Sequence, residues 1–297
     1  MLPKRSPHVI AILQALFVTF LWSTSIVLIK IGLKDIPALT FAGLRYTLAF
    51  LCLLPLVVFH RPRLAALRTL PRRRWALLVV LGLVFYAATQ GAQFVGLDYL
   101  PAITFSLVLN FTPVVVAVAG IAMLGERPSR LQWGGVGFAV LGALIYFSPA
   151  GLSGGALLGY VVAAVGLLAN AGSSILGRRV NRAGDLPPVV VTVVSMGGGR
   201  GGAPAGRGRA PGASGAQPLH WAIIGWLAVV NTAFAFTLWN HTLRTLPAMQ
   251  SSVINNTMLI QVAVLAWLFL GERPTLVQAG GLVLAGVGAL LVQLRRA

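Results

Sequence analysis

Acidic residues are almost missing from this chain: five Asp and Glu stand against 23 Lys and Arg in 297 residues. Asp35, Asp98, Glu126, Asp185 and Glu272 all fall at or beyond the ends of hydrophobic runs. No carboxylate is therefore available at a membrane midplane to carry protons. Cysteine occurs once, as Cys52, which excludes an internal disulfide and a thiolate metal site. The four histidines are as dispersed as the acids, so a membrane-embedded enzyme lacks the clustered groups that catalysis needs. His241, near a helix end, has an ordinary structural reading. A phosphate-binding G-x-x-x-x-G-K-[ST] loop is also lacking, which argues against direct ATP drive. No catalytic residue, metal or cofactor is implied.

What remains is strongly apolar. The chain is 57% hydrophobic and only 9% charged, where a soluble domain carries about 25% charged residues. This is the composition of an integral membrane protein whose main partner is the lipid bilayer. The net charge of +18 would suggest nucleic acid in a soluble chain. Here the basic residues mostly sit between hydrophobic runs, as positive-inside retention requires, so nucleic acid is not an expected partner. Lys4 and Arg5 precede an apolar run from Val9 to Ile29. That run exceeds a signal-peptide core of about 7–15 residues, and the segment is expected to stay as a first helix.

Residues 75–145 and 221–291 are two copies of one unit, offset by 146 positions without a gap. Trp75 answers Trp221, Leu100-Pro101-Ala102 answers Leu246-Pro247-Ala248, and Asn110 answers Asn256. Leu124-Gly125-Glu126-Arg127-Pro128 matches Leu270-Gly271-Glu272-Arg273-Pro274, and 12 of 22 positions agree between 124–145 and 270–291. Such duplication in an apolar chain points to a transporter built from two related halves.

A bilayer crossing needs about 20 mostly apolar residues. Nine segments qualify: 9–29, 38–59, 75–95, 101–124, 131–148, 156–176, 221–240, 247–270 and 275–294. The repeat calls for a tenth after Pro188, and Val189 to Val194 begins it. Residues 197–216 then hold nine Gly, five Ala, three Arg, two Pro and one Ser. Gly and Pro disfavour helix and Arg resists insertion, so this stretch is not expected to stay in hydrocarbon. One reading is a flexible linker. The other is a reading-frame excursion between two compensating indels, which would leave a non-transporting remnant. Asp35-Ile36-Pro37 matches Asp185-Leu186-Pro187, and the onward distance to the Trp75/Trp221 pair is 40 residues in one half and 36 in the other. The segment thus replaces a helix and does not lengthen a loop. GGN, GCN, CGN and CCN codons read one base later put the variable base in the middle, where T restores Val or Leu.

With ten crossings and both termini inside, 16 basic residues fall inside and Lys30, Lys34 and Arg273 outside, Arg45 and the Gly-rich segment set aside. With nine crossings Arg244, Arg295 and Arg296 would move outside. The expected fold is an all-α polytopic membrane protein of ten helices in two five-helix repeats, 1–148 and 149–297. The odd number inverts one repeat against the other.

This layout, with L-G-E-R-P closing the fourth and ninth helices, followed by Gln132 or Gln278 and by the glycine pairs Gly134-Gly135 and Gly280-Gly281, resembles the EamA family of the drug/metabolite transporter superfamily. The resemblance implies a central cavity, alternating access and outward transport of small metabolites, amino acids among them, across the cytoplasmic membrane. The chain departs from it at the seventh helix and at Met258-Leu259, where the first half has Thr112-Pro113.

Candidate site residues carry two readings each. Arg45, about 10 Å into helix two at 1.5 Å per residue, either recognises a substrate carboxylate or snorkels to the interface. Trp22, Ser23, Ser25, Tyr46, Gln90, Gln93, Asn110, Asn170, Ser173, Asn231, Trp239, Asn240, Asn255 and Asn256 either line a cavity or join helices. Asn110 and Asn256 are singled out because the repeat pairs them. Glu126 and Glu272 act as gates or, in the plainer reading, pair locally or cap the next helix. The stripes Gly135/Ala139/Ala143 and Gly281/Ala285/Ala289 allow close helix contact within the chain or a homodimer seam.

Overall fold

A computed structural model of the chain describes residues 7–112, 114–116, 119, 129–147, 157–181, 184–200, 218–246, 251 and 254–293. Its helices are α1 (Pro7–Gly32), α2 (Ala38–Val58), α3 (Arg61–Arg68), α4 (Arg72–Tyr99), α5 (Ala102–Leu109), α6 (Arg130–Phe147), α7 (Leu157–Asn181), α8 (Pro188–Arg200), α9 (Pro218–Thr245), α10 (Met258–Leu270) and α11 (Leu276–Gln293). The described residues contain no strand. Five helices, α1, α2, α4, α7 and α9, are long and apolar enough to cross a membrane, and the others except α3 carry shorter apolar stretches. Helix α3 is a departure from expectation: the arginine-rich loop folds into two short turns with no buried residue.

Proline sets many of the helix starts. Pro37, Pro71 and Pro101 each precede a helix, and Pro188 and Pro218 begin one. Proline suits that place because the first N–H groups of a helix have no intrahelical partner. The end of α10 uses glycine. Gly271 adopts φ +69°, and the Glu272 N–H returns to the Ala266 carbonyl at 3.3 Å. This is the left-handed stop that glycine permits, and it turns the Glu272 side chain away from its own helix.

Helices α4 and α9 are each interrupted by a π-helical turn, at Leu83–Thr89 and Val229–Phe234. The two turns coincide under the 146-residue offset. Extra residues of this kind widen a helix locally and often mark functional sites.

The small-residue stripes meet each other. A methyl placed on Gly288 would strike the Ala139 backbone, and one on Gly142 would strike that of Ala285. A methyl on Gly281 would lie 2.6 Å from the Gly142 carbonyl. Helices α6 and α11 therefore pack backbone to backbone, antiparallel, along equivalent faces. The contact runs through Gly142 and Gly288 where Ala143 and Ala289 were expected. The ridge proposed from sequence is thus occupied within the chain.

The seventh helix continues past its apolar opening. α8 carries Val189–Met196 in the core and extends through Gly197 and Gly198, which lie against Phe50 and Val79. It thus reaches into the segment expected to fail at 197, because glycine lets it pass close to α2 and α4. Residues 201–217 lie outside the described ones.

Candidate functional site

Polar contacts between helix ends fall into two groups. In the first, Lys30 Nζ at the end of α1 donates to the Leu97 and Leu100 carbonyls at 2.6 and 2.9 Å. Glu272 accepts from the N–H groups of Ala102 and Ile103, at 2.7 and 3.0 Å, and Asp35 meets His220 at 3.0 Å. In the second, Arg178 at the end of α7 donates to the Leu243 carbonyl at 2.6 Å. Arg74 meets Asp185 at 3.1 Å, and Arg244 donates to the Leu186 carbonyl.

These groups correspond in part. Leu97 becomes Leu243 and Arg74 becomes His220 under the 146 offset, and Asp35 becomes Asp185 under 150. Lys30 and Arg178 serve the same carbonyl in the two copies. The first group gathers the end of α4 and the start of α9. The second gathers the start of α4 and the end of α9. Equivalent helices therefore run in opposite directions.

Glu272 corrects the plainer expectation for it. The next helix, α11, is capped by Thr275 and Gln278, which exchange backbone and side-chain hydrogen bonds at 2.9 and 3.2 Å. That reciprocal box leaves Glu272 free to reach across to α5, 170 residues away in sequence. A carboxylate on the first N–H groups of a helix is well placed against both orphan donors and the helix dipole. Glu126 lies outside the described residues.

Between the two groups lies a narrow cavity with mostly apolar walls, in two parts of about 50 and 70 Å³ that share wall residues. Trp22, Phe85, Asn170 and Asn255 line both parts. One part adds Ser25, Arg45, Gln90 and Gln93, and the other adds Tyr86, Ser195, Trp239 and Asn240. By this measure a water needs about 10–15 Å³, so the space holds a few waters and no metabolite. Drug-sized ligands occupy about 300–1,000 Å³. The described arrangement leaves no room for a metabolite at the centre.

Arg45 is the charged feature of the cavity. It is 1% exposed, which removes the snorkelling reading. Its Nε donates to Thr232 Oγ1 at 2.7 Å and its Nη1 to Ser25 Oγ at 2.9 Å. Nη2 stands 3.5 Å from the Asn231 carbonyl, and the rings of Tyr46 and Phe94 lie 5.3 and 5.8 Å away. The Thr232 hydroxyl donates to the Leu227 carbonyl at 2.7 Å, within the π-helical turn of α9. Its lone pairs are thereby aimed at Arg45.

Other expected site residues divide. Trp22, Ser25, Arg45, Gln90, Asn170 and Trp239 come together in the cavity. Tyr46 stands behind it, donating to Gln90 Oε1 at 2.8 Å. Asn110 and Asn256 do not join them. Asn110 Nδ2 stands 3.5 Å from the Ala285 carbonyl, and Asn256 lines a separate apolar groove between α10 and α11. The amide that faces the centre on this helix is the neighbouring Asn255. Asn231 and Ser23 join helices, through the Leu21 carbonyl and Gln261 Oε1.

Tyr86 and Ser195 were not anticipated, although the repeat contains the signal. Ser195 occupies the place of Arg45 under the 150 offset, and Tyr86 that of Thr232 under 146. Both line the same part of the cavity, so the positions of Arg45 and Thr232 have counterparts in the other half, without the charge.

The Arg74–Asp185 ion pair is half-exposed, with side-chain exposures of 35% and 44%, and the Asp35 carboxylate that meets His220 is 61% exposed. Such pairs contribute up to about 1 kcal/mol. Asp185→Asn and Asp35→Asn are each expected to lower the thermal midpoint in detergent by no more than a few degrees. A collapse of the fold in either variant would show that the pairs carry more than their exposure allows. Among the described residues no three His, Cys, Asp or Glu side chains come together to hold a metal.

Known proteins share this architecture. A solved crystal structure superposes with a TM-score of 0.69 over 95% of this chain and 94% of its own, at 18% identity. Named relatives include the uncharacterized transporter YvbV of Bacillus subtilis, 29% identical over 58% of this chain and 52% of its own length. A probable amino-acid metabolite efflux pump of Escherichia coli is 28% identical over 61% of this chain and 57% of its own. An S-adenosylmethionine/S-adenosylhomocysteine transporter of Chlamydia trachomatis is 28% identical over 43% and 38%. The chain spans about half the length of the first of these curated relatives. The model of the EamA-like transporter family matches twice, over residues 9–148 and 157–294. With two matches that together take in nearly every residue, and with equivalent contacts at two opposite ends, the chain belongs to the EamA-like transporter family of the drug/metabolite transporter superfamily.

Proposed function

We propose that this small-solute transporter exports an amino acid or a related metabolite across the cytoplasmic membrane by alternating access. Two inverted five-helix halves, 1–148 and 149–297, make ten crossings and leave both termini in the cytoplasm. The substrate binds in the cavity between Arg45 and Trp239, and opening alternates between the two groups of end contacts. The observation that carries this reading is the correspondence of those groups across the repeat. Contacts built twice and turned over supply a closure at each face of the bilayer. The small central volume agrees with it, because an arrangement with no room for a metabolite must open on one side before one can enter. The charge distribution of the loops supports the orientation, and the E. coli efflux pump supports amino-acid metabolites as cargo.

Counterflow in proteoliposomes tests the proposal. Vesicles preloaded with a mixture of unlabelled amino acids should accumulate a labelled member of the mixture well above protein-free vesicles. Monodisperse, cooperatively unfolding protein that gives no counterflow across an amino-acid and metabolite panel would sink it.

A second reading rests on α8. Beyond Met196 the crossing has to continue through residues 197–216, whose Gly and Pro disfavour helix and whose Arg resist insertion. In a remnant that no longer transports, this crossing fails and the purified chain aggregates on mild heating. A sharp thermal transition above about 45 °C would exclude it.

A further inference from the structure

The cavity has donors and a positive charge, and among the described residues it has no carboxylate. Arg45 is enclosed, and its hydrogen-bond partners are two hydroxyls and a distant carbonyl. A guanidinium has five N–H groups in a rigid fork. A buried charge is stable only when paired and hydrogen-bonded, and hydroxyl dipoles and aromatic faces supply part of that compensation. Trp22 adds a second donor. Its Nε1 is buried without a hydrogen-bond partner, and the residue lines the same cavity. The remaining polar walls are the neutral amides Gln90, Gln93, Asn170 and Asn255. The apolar side is aromatic: Trp22 packs 5.0 Å from both Phe236 and Trp239, and Phe85 lies 5.1 Å from Phe236.

We infer that the cavity selects small organic anions, reading a carboxylate with Arg45 and the Trp22 indole N–H and a flat apolar body with the aromatic wall, while leaving a substrate's amino group unread. A planar carboxylate matches the guanidinium fork in two parallel hydrogen bonds. An ammonium would find no acidic partner there and would meet the field of Arg45. Aromatic 2-oxo acids should therefore bind at least as well as the corresponding amino acids. This rests on the cavity being the transport site, and deepens that reading by naming what is recognised.

The test compares phenylpyruvate, phenylalanine and phenylalaninamide, which share a ring and differ in charge. Binding is measured on the purified full chain in nanodiscs, and counterflow separately in proteoliposomes. Phenylpyruvate is expected to bind as tightly as phenylalanine or more tightly, and phenylalaninamide at least about tenfold more weakly. Arg45→Gln should weaken phenylpyruvate about tenfold or more and leave phenylalaninamide no weaker, or somewhat tighter. Trp22→Phe keeps the ring and removes the donor, and should weaken phenylpyruvate alone by about threefold. Equal binding of the amide and the 2-oxo acid to the native chain would overturn the inference. So would a folded native chain that binds none of the three. If Arg45→Gln does not fold, the selectivity of the native chain and the Trp22→Phe variant still decide. Counterflow indifferent to charge would remove the anion site and leave transport standing. Selective anion binding without counterflow would keep the site and remove transport.

Discussion

Gly288→Leu is expected to abolish recovery of folded protein, and Gly142→Leu to do the same. The backbone of α6 already touches α11 at both places, so even a methyl would meet main-chain atoms. Main chain cannot rotate aside as a long side chain can. The helices must separate along their length, losing contacts on each side of the inserted group. Overpacking in a well-packed core costs about 1–3 kcal/mol for added methylenes, and four carbons against backbone should exceed that range. Controls lie on the same two helices. A methyl on Gly137 or Gly280 would have nothing within 4 Å, and leucine is the better helix former by about 0.8 kcal/mol. Gly137→Leu and Gly280→Leu should therefore match or slightly exceed the native thermal midpoint. Size-exclusion profiles and midpoints of the four variants check the pattern. Equal tolerance at all four positions would show that the seam is not a structural contact.

The glycine seam shows where sequence was informative. Gly135/Ala139 and Gly281/Ala285 were readable as smooth ridges because small side chains at four-residue spacing fall on one helix face. That the ridges would meet each other, antiparallel, depends on how two halves dock, which spacing does not encode. The five longest helices were legible for a similar reason. Apolar length is enough to announce a crossing, and the observed α4 and α9 extend beyond the expected runs only at polar ends such as Arg72–Arg74. The π-helical turns left no trace. Neither Leu83–Thr89 nor Val229–Phe234 contains a proline or glycine.

Site residues were legible in proportion to how much their energetics depend on chemistry alone. A charge within an apolar helix must be enclosed or reach water, so Arg45 stood out, and its enclosure chose between the two. Amides carry no such constraint. Asn255 and Asn256 are adjacent, yet one faces the centre and the other the groove beside α11, because successive helix positions point about 100° apart. Asn110 and Asn256 are paired by the repeat, yet neither lines the central cavity described above, since symmetric positions can equally face two peripheral seams. Glu272 reaches α5 for a local reason. Its nearest helix, α11, already had a cap in Thr275 and Gln278, and that competition released the carboxylate for a distant partner.

Under the alternating access proposed above, Glu272→Ala is expected to open the face at which Glu272 holds the start of α5. In the native chain both carboxylate oxygens hold the start of α5, while Lys30 holds the end of α4 one turn away. Hydrogen bonds to a charged group are worth about 1.5–3 kcal/mol. The N–H groups of Ala102 and Ile103 can turn to water once released, so a net loss near 2 kcal/mol follows. Because the contact joins α10 to α5 across the two halves, the loss falls on the closed arrangement of this face alone. A shift of about 2 kcal/mol moves the balance between the two faces by about 30-fold. Substrate flux should fall, because carriers trapped facing one side return slowly. Asn170→Cys, on the cavity wall, serves as a reporter in a Cys52→Ser background that removes the native thiol. In the Glu272→Ala variant its labelling by a membrane-impermeant thiol reagent should rise from the Glu272 face and fall from the other. A purely structural cap would behave differently, lowering the thermal midpoint while leaving the ratio of labelling from the two faces where it was. An unchanged ratio in a folded variant would reduce Glu272 to a helix cap and leave the closure of this face to Lys30 and the Asp35–His220 pair.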